Sequence, residues 1–308
     1  MNTARIQCSY VGSMAGEEMG STGRGSIVGV FHHGWYLGRR SSVWLLHNSH
    51  YGKVPFGIGI DGFERTIPYR KSLEGSHVYW KDGKLFLPEA ELSLQLPKPE
   101  LPIAIEKLNL KDIKHVRVIA ENLLREDGRG ELRGLLIKQA TLLEGEKTPE
   151  TTGEQQGSVF LTYSEERIRT FFSALKSWNV ENAVKSIKKM IGLGTGLTPS
   201  MDDWIVGFLY VSLRVQADSA VCDLFDRVVA TVSSAVSSRT NRISAAYLNA
   251  AAKGLYFEAL ENALRATCPR DMEMLLEIGS SSGSDMLTGM AFAIAWFEQF
   301  GMTEMIHL

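Results

Sequence analysis

"GLGTGLTPSMDDWIVGFL", residues 192–209, is the stretch on which the fold class turns. If its glycines formed a dinucleotide loop, a strand would precede them and an acidic residue would close a later strand. The preceding residues read otherwise. "VENAVKSIKKMI", residues 180–191, carries apolar side chains at helical spacing, Lys188 and Lys189 stand where a helix C-terminus favours cations, and Gly192 suits the left-handed terminating position. No GxxxxGK[ST] motif is present either. The loop therefore joins helix to helix, and the next helix is expected to start at Thr198-Pro199 or at Ser200. Thr198 or Ser200 can cap it, proline is tolerated at a first helical position, and Asp202 and Asp203 favour the positive end of the macrodipole. Gly194 and Gly196 are left over: they bare backbone amides at a helix start that favours an anion.

Downstream the theme repeats. "GSSSGSDMLTGMAFA", residues 279–293, aligns Ser282 with Ser200, Asp285 with Asp203 and Gly289 with Gly207, so S-x-x-D-x-x-x-G occurs twice. Two independent capping-box-like starts would give the same pattern by chance. The shared glycine, one turn inside each apolar helix, predicts instead that the two helices cross closely and aim both amino termini, with Ser281 and Ser282, at one site. Between the copies, "SSRTNRISAAYLNAAAKG" opens a helix with Arg239, Thr240, Arg242 and Ser244, which suit a phosphate or carboxylate; a solvated helix start with a Thr or Ser cap is the plain alternative. The rest of the C-terminal half reads as helices, one capped by Ser164 before "EERIRTFFSALKSW" and one running through "ISAAYLNAAAKGLYFEALENALRA". Trp178, Trp204 and Trp296 are assigned to its core.

Upstream the pattern changes. "GSIVGVFHHGWYLGRR", "SSVWLLHNS" and "PFGIGID" are short β-branched or aromatic runs cut by turn residues, and "HVYWKDGKLFLPE" is a hairpin turning at Asp82-Gly83. The expected fold class is α+β: a mainly antiparallel, barrel-like β module followed by an all-helical domain. The expected boundaries are 1–102 for the β-rich module, 103–157 for a helical connection ending in a mobile polar loop from residue 144, and 158–308 for the helical domain.

Composition narrows the partners. Lys plus Arg number 33 against 35 Asp plus Glu in 308 residues, so no global charge recommends nucleic acid or an anionic membrane. Cys8, Cys222 and Cys268 are scattered and odd in number, as suits a reducing compartment. "MNTARIQCSYVGSM" lacks a signal-peptide core and no apolar run is long enough to span a bilayer, so the expected location is the cytoplasm. His32, His33, His47 and His50 lack a third ligand at a telling spacing, which argues against zinc.

Taken together, "GLGTGLTPSMDDWIVGFL", "TNRISAAYLNAAAKG" and "GSSSGSDMLTGM" resemble the AllH family, long grouped as a domain of unknown function and typified by one subunit of an oxamate carbamoyltransferase. The resemblance spans residues 164–300, and the β-rich half matches in general character. The family pattern has proline where Thr195 stands and glycine where Met201 stands, so this chain has a looser loop and a side chain in the first helical turn. The resemblance implies exchange of carbamoyl phosphate and oxamate for oxalurate and phosphate, in allantoin and purine catabolism, by a chain that works with two other subunits.

Such chemistry needs positioned donors and acceptors rather than a covalent nucleophile or a redox cofactor. Asp202, Asp203 and Asp285 are the candidate substrate-orienting residues. Gly194, Gly196, Thr198, Ser200, Arg239, Thr240, Arg242, Ser244, Ser281 and Ser282 are the candidate ligand-binding residues. No cofactor is expected, apart from Mg²⁺ as a metal that two adjacent aspartates and a phosphate would hold. The expected partners are a small anionic substrate, such as carbamoyl phosphate or oxamate, and further subunits. The sequence leaves open a transferase subunit active only with its partners, a non-catalytic subunit that senses a small anion, or a scaffold whose loops are merely helix caps.

Overall fold

The computed structural model describes residues 4–67, 69–103, 105–146 and 158–300. Two compact units emerge: Met1–Ala104 with Leu255–Ala259, and Ile105–Gly254 with Leu260–Leu308.

The first unit is a curled sheet of nine strands. These are β1 (Ala4–Gln7), β2 (Tyr10–Val11), β3 (Gly23–Val30), β4 (Gly34–Arg39), β5 (Ser42–Asn48), β6 (Gly57–Ile60), β7 (His77–Lys81), β8 (Lys84–Leu87) and β9 (Leu92–Gln95), in the order β1-β9-β8-β7-β3-β4-β5-β6-β2. The predicted hairpin is β7–β8; Asp82 and Gly83 both have positive φ, at 50° and 70°, the turn whose twist matches paired strands. Alternation puts Val78, Trp80, Leu85 and Leu87 inside with Trp35 and Trp44, and Trp44 meets Trp80 edge to face at 5.2 Å. Pairing is antiparallel except for β1–β9 and β5–β6. The two outermost strands are consecutive in the chain. Between them the Cys8 amide donates to Gln95 of β9 and the Ser9 amide to Gly59 of β6, so one extended segment engages both edges and leaves fewer open ladder groups. Two short helices, α1 (Ser13–Met19) and α2 (Phe63–Thr66), complete the unit.

The second unit is helical. It contains α3 (Leu110–Asp127), α4 (Gln139–Leu143), α5 (Val159–Lys176), α6 (Val180–Met190), α7 (Ser200–Ser212), α8 (Ser219–Arg239), α9 (Arg242–Ala252), α11 (Glu273–Leu276) and α12 (Ser282–Phe300). α10 (Glu258–Leu264) starts where the chain leaves the first unit. The expected long helix after Ile243 is thus two helices: Gly254, at φ 62°, ends the first, and Leu255–Ala259 belongs to the β-rich unit. The cap of α5 is Ser158, which accepts from the Leu161 amide at 3.2 Å, whereas Ser164 is buried inside the helix. Trp178 is not a core residue. It follows the end of α5 at φ 52° and is 41% exposed, because the chain reverses there into α6. The polar loop expected over 144–157 lies, from residue 147 onward, outside the described residues.

α7 and α12 are apolar all round and buried along almost their whole length, as central helices must be. They pack through the two motif glycines. A Cβ on Gly207 would lie 1.9 Å from the Met286 carbonyl oxygen of α12, and one on Gly289 would lie 2.0 Å from the Trp204 carbonyl oxygen of α7. Met286 and Trp204 each follow the aspartate of their own motif, so the two copies contact each other reciprocally. Around the crossing Trp204 stacks on Phe208 at 5.0 Å, with Phe172 and Phe292 against them. Gly207→Ala is expected to cost about 1–3 kcal/mol by overpacking, even though alanine is the better helix former. Denaturant unfolding measures it, and unchanged stability would mean that the helices do not approach this closely.

Candidate site at the paired helix starts

The loop before α7 is set by local rules. Gly192, at φ 82°, follows the C-terminus of α6, and Leu193 donates to the Met190 carbonyl. α7 then begins at Ser200 with Pro199 at the capping position and no side-chain cap, so neither Thr198 nor Ser200 plays the expected capping role. The first amides are already used by the chain: Met201 donates to Leu193 at 3.1 Å, and Asp202 and Asp203 donate to Pro199 at 2.8 and 3.2 Å. Gly194 packs against the Ser200 amide, Gly196 is exposed, and Thr195 stands in solvent. Met201, which departs from the family pattern, is wholly buried.

The adjacent aspartates part company. Asp202 is a fully bonded tie: one oxygen accepts from the Gly192 amide at 2.7 Å, the other from Thr240 and Ser244 hydroxyls at 2.6 Å each. Burial pushes its carboxyl up, and these three donors pull it back. Thr240 and Ser244 thereby serve Asp202, while Asn241 caps α9 by accepting from Ile243 and Ser244 and also donates to Leu197. Arg239 and Arg242 are exposed, and the Arg239 carbonyl packs on Gly192.

Asp203 and Asp285 differ. They are 1% and 0% exposed, and among the described residues no donor reaches any of their four oxygens with full hydrogen-bond geometry, although several hydroxyls and one amide stand near. Burial drives Asp203 well above the usual carboxylate range, the negative Asp285 adds to this, and the Ser282 and Thr198 hydroxyls beside it offset part. Asp285 is pushed up to about 7 by burial, with the Ser200 hydroxyl, the Leu132 amide and the Ser281 hydroxyl opposing and Glu131 adding to it. The serines are exchanged between copies: Ser282 of α12 lies by Asp203 of α7, and Ser200 of α7 by Asp285 of α12. The two helix starts are tied directly, Thr198 to Ser282, by a hydroxyl–hydroxyl bond of 2.7 Å.

Sequence reading missed the cover of this pair. Gly130, in "EDGRGELRG" after α3, lies so close that a Cβ would stand 2.3 Å from an Asp285 oxygen, and its amide donates to Ser284 at 3.3 Å. Two glycines around an arginine just past a helix were the available signal. Of the expected set, Thr198, Ser200, Asp203, Ser281, Ser282 and Asp285 gather at the pair, and Asp202, Thr240 and Ser244 form a second cluster. No described contact brings Gly194, Gly196, Arg239 or Arg242 to the two carboxyls.

The interlocked copies invite comparison with known families. Residues 190–294 match the family model of oxamate carbamoyltransferase subunit AllH. The AllH likeness read from the motifs is shown over that segment, which runs from the end of α6 into α12 and contains both motif copies and both carboxyls. Gly130 lies outside it. No curated protein and no solved structure matches the chain.

The candidate histidines lie in the β-rich unit. His47 is buried, bonded to Tyr10 at 2.5 Å, and burial lowers its pKa to about 4, while His33 pairs with Glu64 at 2.8 Å. Among the described residues no three His, Cys, Asp or Glu side chains are grouped to hold a metal ion, and no helix is long and apolar enough to cross a membrane.

Proposed function

We propose that this chain is a carbamoyltransferase-associated subunit that binds a small reactant, such as carbamoyl phosphate or oxamate, at the paired starts of α7 and α12 and works with partner subunits in allantoin-derived nitrogen catabolism. The observation that carries the reading is the pair of buried carboxyls left without partners where the AllH-like motifs interlock. Charged groups are rarely buried unpaired, because desolvation costs several kcal/mol, and such groups cluster at functional sites. The reactant supplies what the protein withholds. Its anionic end would lie toward the Gly194–Gly196 loop; the adjacent aspartates are poorly placed to hold Mg²⁺ together, since Asp202 is already bonded to three donors and Asp203 faces α12. A second reading is a non-catalytic subunit that senses a small anion at the Gly194–Gly196 loop, where Gly196 is exposed and no described contact ties it to the two carboxyls.

Carbamoyl transfer from carbamoyl phosphate to oxamate, assayed with the chain alone and with its neighbouring subunits, separates the two readings. Asp203→Asn preserves shape, so under the proposal activity falls at least tenfold, about 1.4 kcal/mol, without loss of thermal stability. Undiminished activity in that variant would return Asp203 to a structural role. Absence of transfer in every combination would leave the sensing reading standing.

A further inference from the structure

We infer that Asp203 and Asp285 act as one acid–carboxylate pair that reads a primary carboxamide edge, one carboxyl donating to the amide oxygen and the other accepting from its nitrogen. This rests on the site proposed above and says which end of the reactant enters it. The geometry is the first support: the two acids sit on helices that touch at Gly207 and Gly289, each beside a serine of the opposite helix, and among the described residues none of the four oxygens receives a well-formed hydrogen bond. Charge is the second. The charged groups acting most on the pair are themselves carboxylates, Asp202 and Asp285 on Asp203 and Glu131 on Asp285. A phosphate or carboxylate group placed there would meet like charge first, against the expectation of an anion at these helix starts.

A carboxamide meets no such repulsion. Two like carboxyls held together share a proton, as coupled acids do. The protonated member is then a donor and the ionised member an acceptor, which matches the C=O and NH₂ of one amide edge. The raised proton affinities of both groups agree with a proton being held near neutrality. The neighbouring Thr198–Ser282 hydroxyls, already bonded to each other, are placed to orient the ligand rather than to charge-balance it.

Oxamate and oxalate test this, because they differ in a single group, amide against carboxylate. Calorimetric titration of the full-length chain at pH 7 is expected to show oxamate binding at least tenfold tighter than oxalate. In the double variant Asp203→Asn, Asp285→Asn the pair is neutral and offers NH₂ donors, so oxalate gains and the ratio falls towards unity. Far-ultraviolet circular dichroism verifies that the variant is folded, and wild type alone supplies the decisive ratio if it is not. Equal or tighter oxalate binding by wild type would overturn the amide assignment while leaving the site in place. Binding of neither ligand would overturn both the assignment and the site.

Discussion

Asp285→Asn is expected to make the helical unit more stable at pH 8, by about 4 kcal/mol, and to leave its stability nearly unchanged at pH 4. The carboxyl is wholly buried and titrates at about 7 in the folded chain, against about 3.9 when unfolded. Between these values the folded state holds a proton that the unfolded state has released. Stability therefore falls as pH rises from about 4 to about 7, by roughly three pH units at 1.36 kcal/mol each, and stays reduced above that. Asparagine mimics the protonated acid and has nothing to lose. His47 works in the opposite direction: its stabilising contribution is present above about 6.5 and is lost as pH falls towards about 4. Taking the difference between variant and wild type at each pH removes the His47 contribution. Denaturant titrations followed by helical circular dichroism at several pH values would show the divergence. Parallel pH profiles would mean that Asp285 is partnered or hydrated, and the site would lose one of its two acids. A stability cost of this size in a central helix is what a functional position tolerates and a purely structural one does not.

Glu261→Ala is expected to destabilise the same unit by about 3–5 kcal/mol. Arg214, just past the C-terminus of α7, is 1% exposed; its guanidinium donates to Glu261 and to the Tyr210 hydroxyl at 2.6 Å and lies 3.9 Å from the Tyr210 ring centre. Glu261 also accepts from Tyr210 at 2.9 Å and from Arg265 at 2.5 Å. Burial raises the Glu261 carboxyl, but the bonds from Arg265 and Arg214 outweigh it and hold the group below the usual carboxylate range. Alanine would leave a buried guanidinium without its counter-charge. The double change Arg214→Met, Glu261→Leu removes both charges at similar volume and is expected to be near neutral, which distinguishes an unpaired charge from a simple cavity. Equal losses in the single and double variants would point to packing alone. The contrast with the opposite end of α7 is instructive: at Arg214 the protein supplies the counter-charge itself, and at Asp203 it does not.

The features legible in the chain were those set by neighbours a few residues away. Asp82-Gly83 specifies its hairpin because both positions take positive φ, and Gly192 ends α6 for the same reason. The repeated S-x-x-D-x-x-x-G was legible as a contact because glycine one turn inside an apolar helix leaves room for another backbone, and Gly207 and Gly289 do meet the facing helix. The shift from alternating runs to helical spacing announced the β-rich half and the helical half. Gly254 was the local signal passed over, and it divides α9 from α10.

What the tertiary structure alone decided is which polar groups are spent. Asp202 and Asp203 are adjacent, yet successive helical side chains point about 100° apart, so they face different neighbours. Asp202 meets Thr240 and Ser244 and is satisfied, while Asp203 meets the start of α12, 79 residues further along, and is not. Arg239 and Arg242, chosen for their charge, are exposed, and the cap of α9 falls to Asn241 between them. Gly130 covers Asp285 from a segment that no local pattern linked to it. A side chain's type and spacing determine what it can bond, but whether that capacity is used up depends on residues brought alongside from distant parts of the chain, and a buried carboxyl left unpaired exists only as a property of that packing.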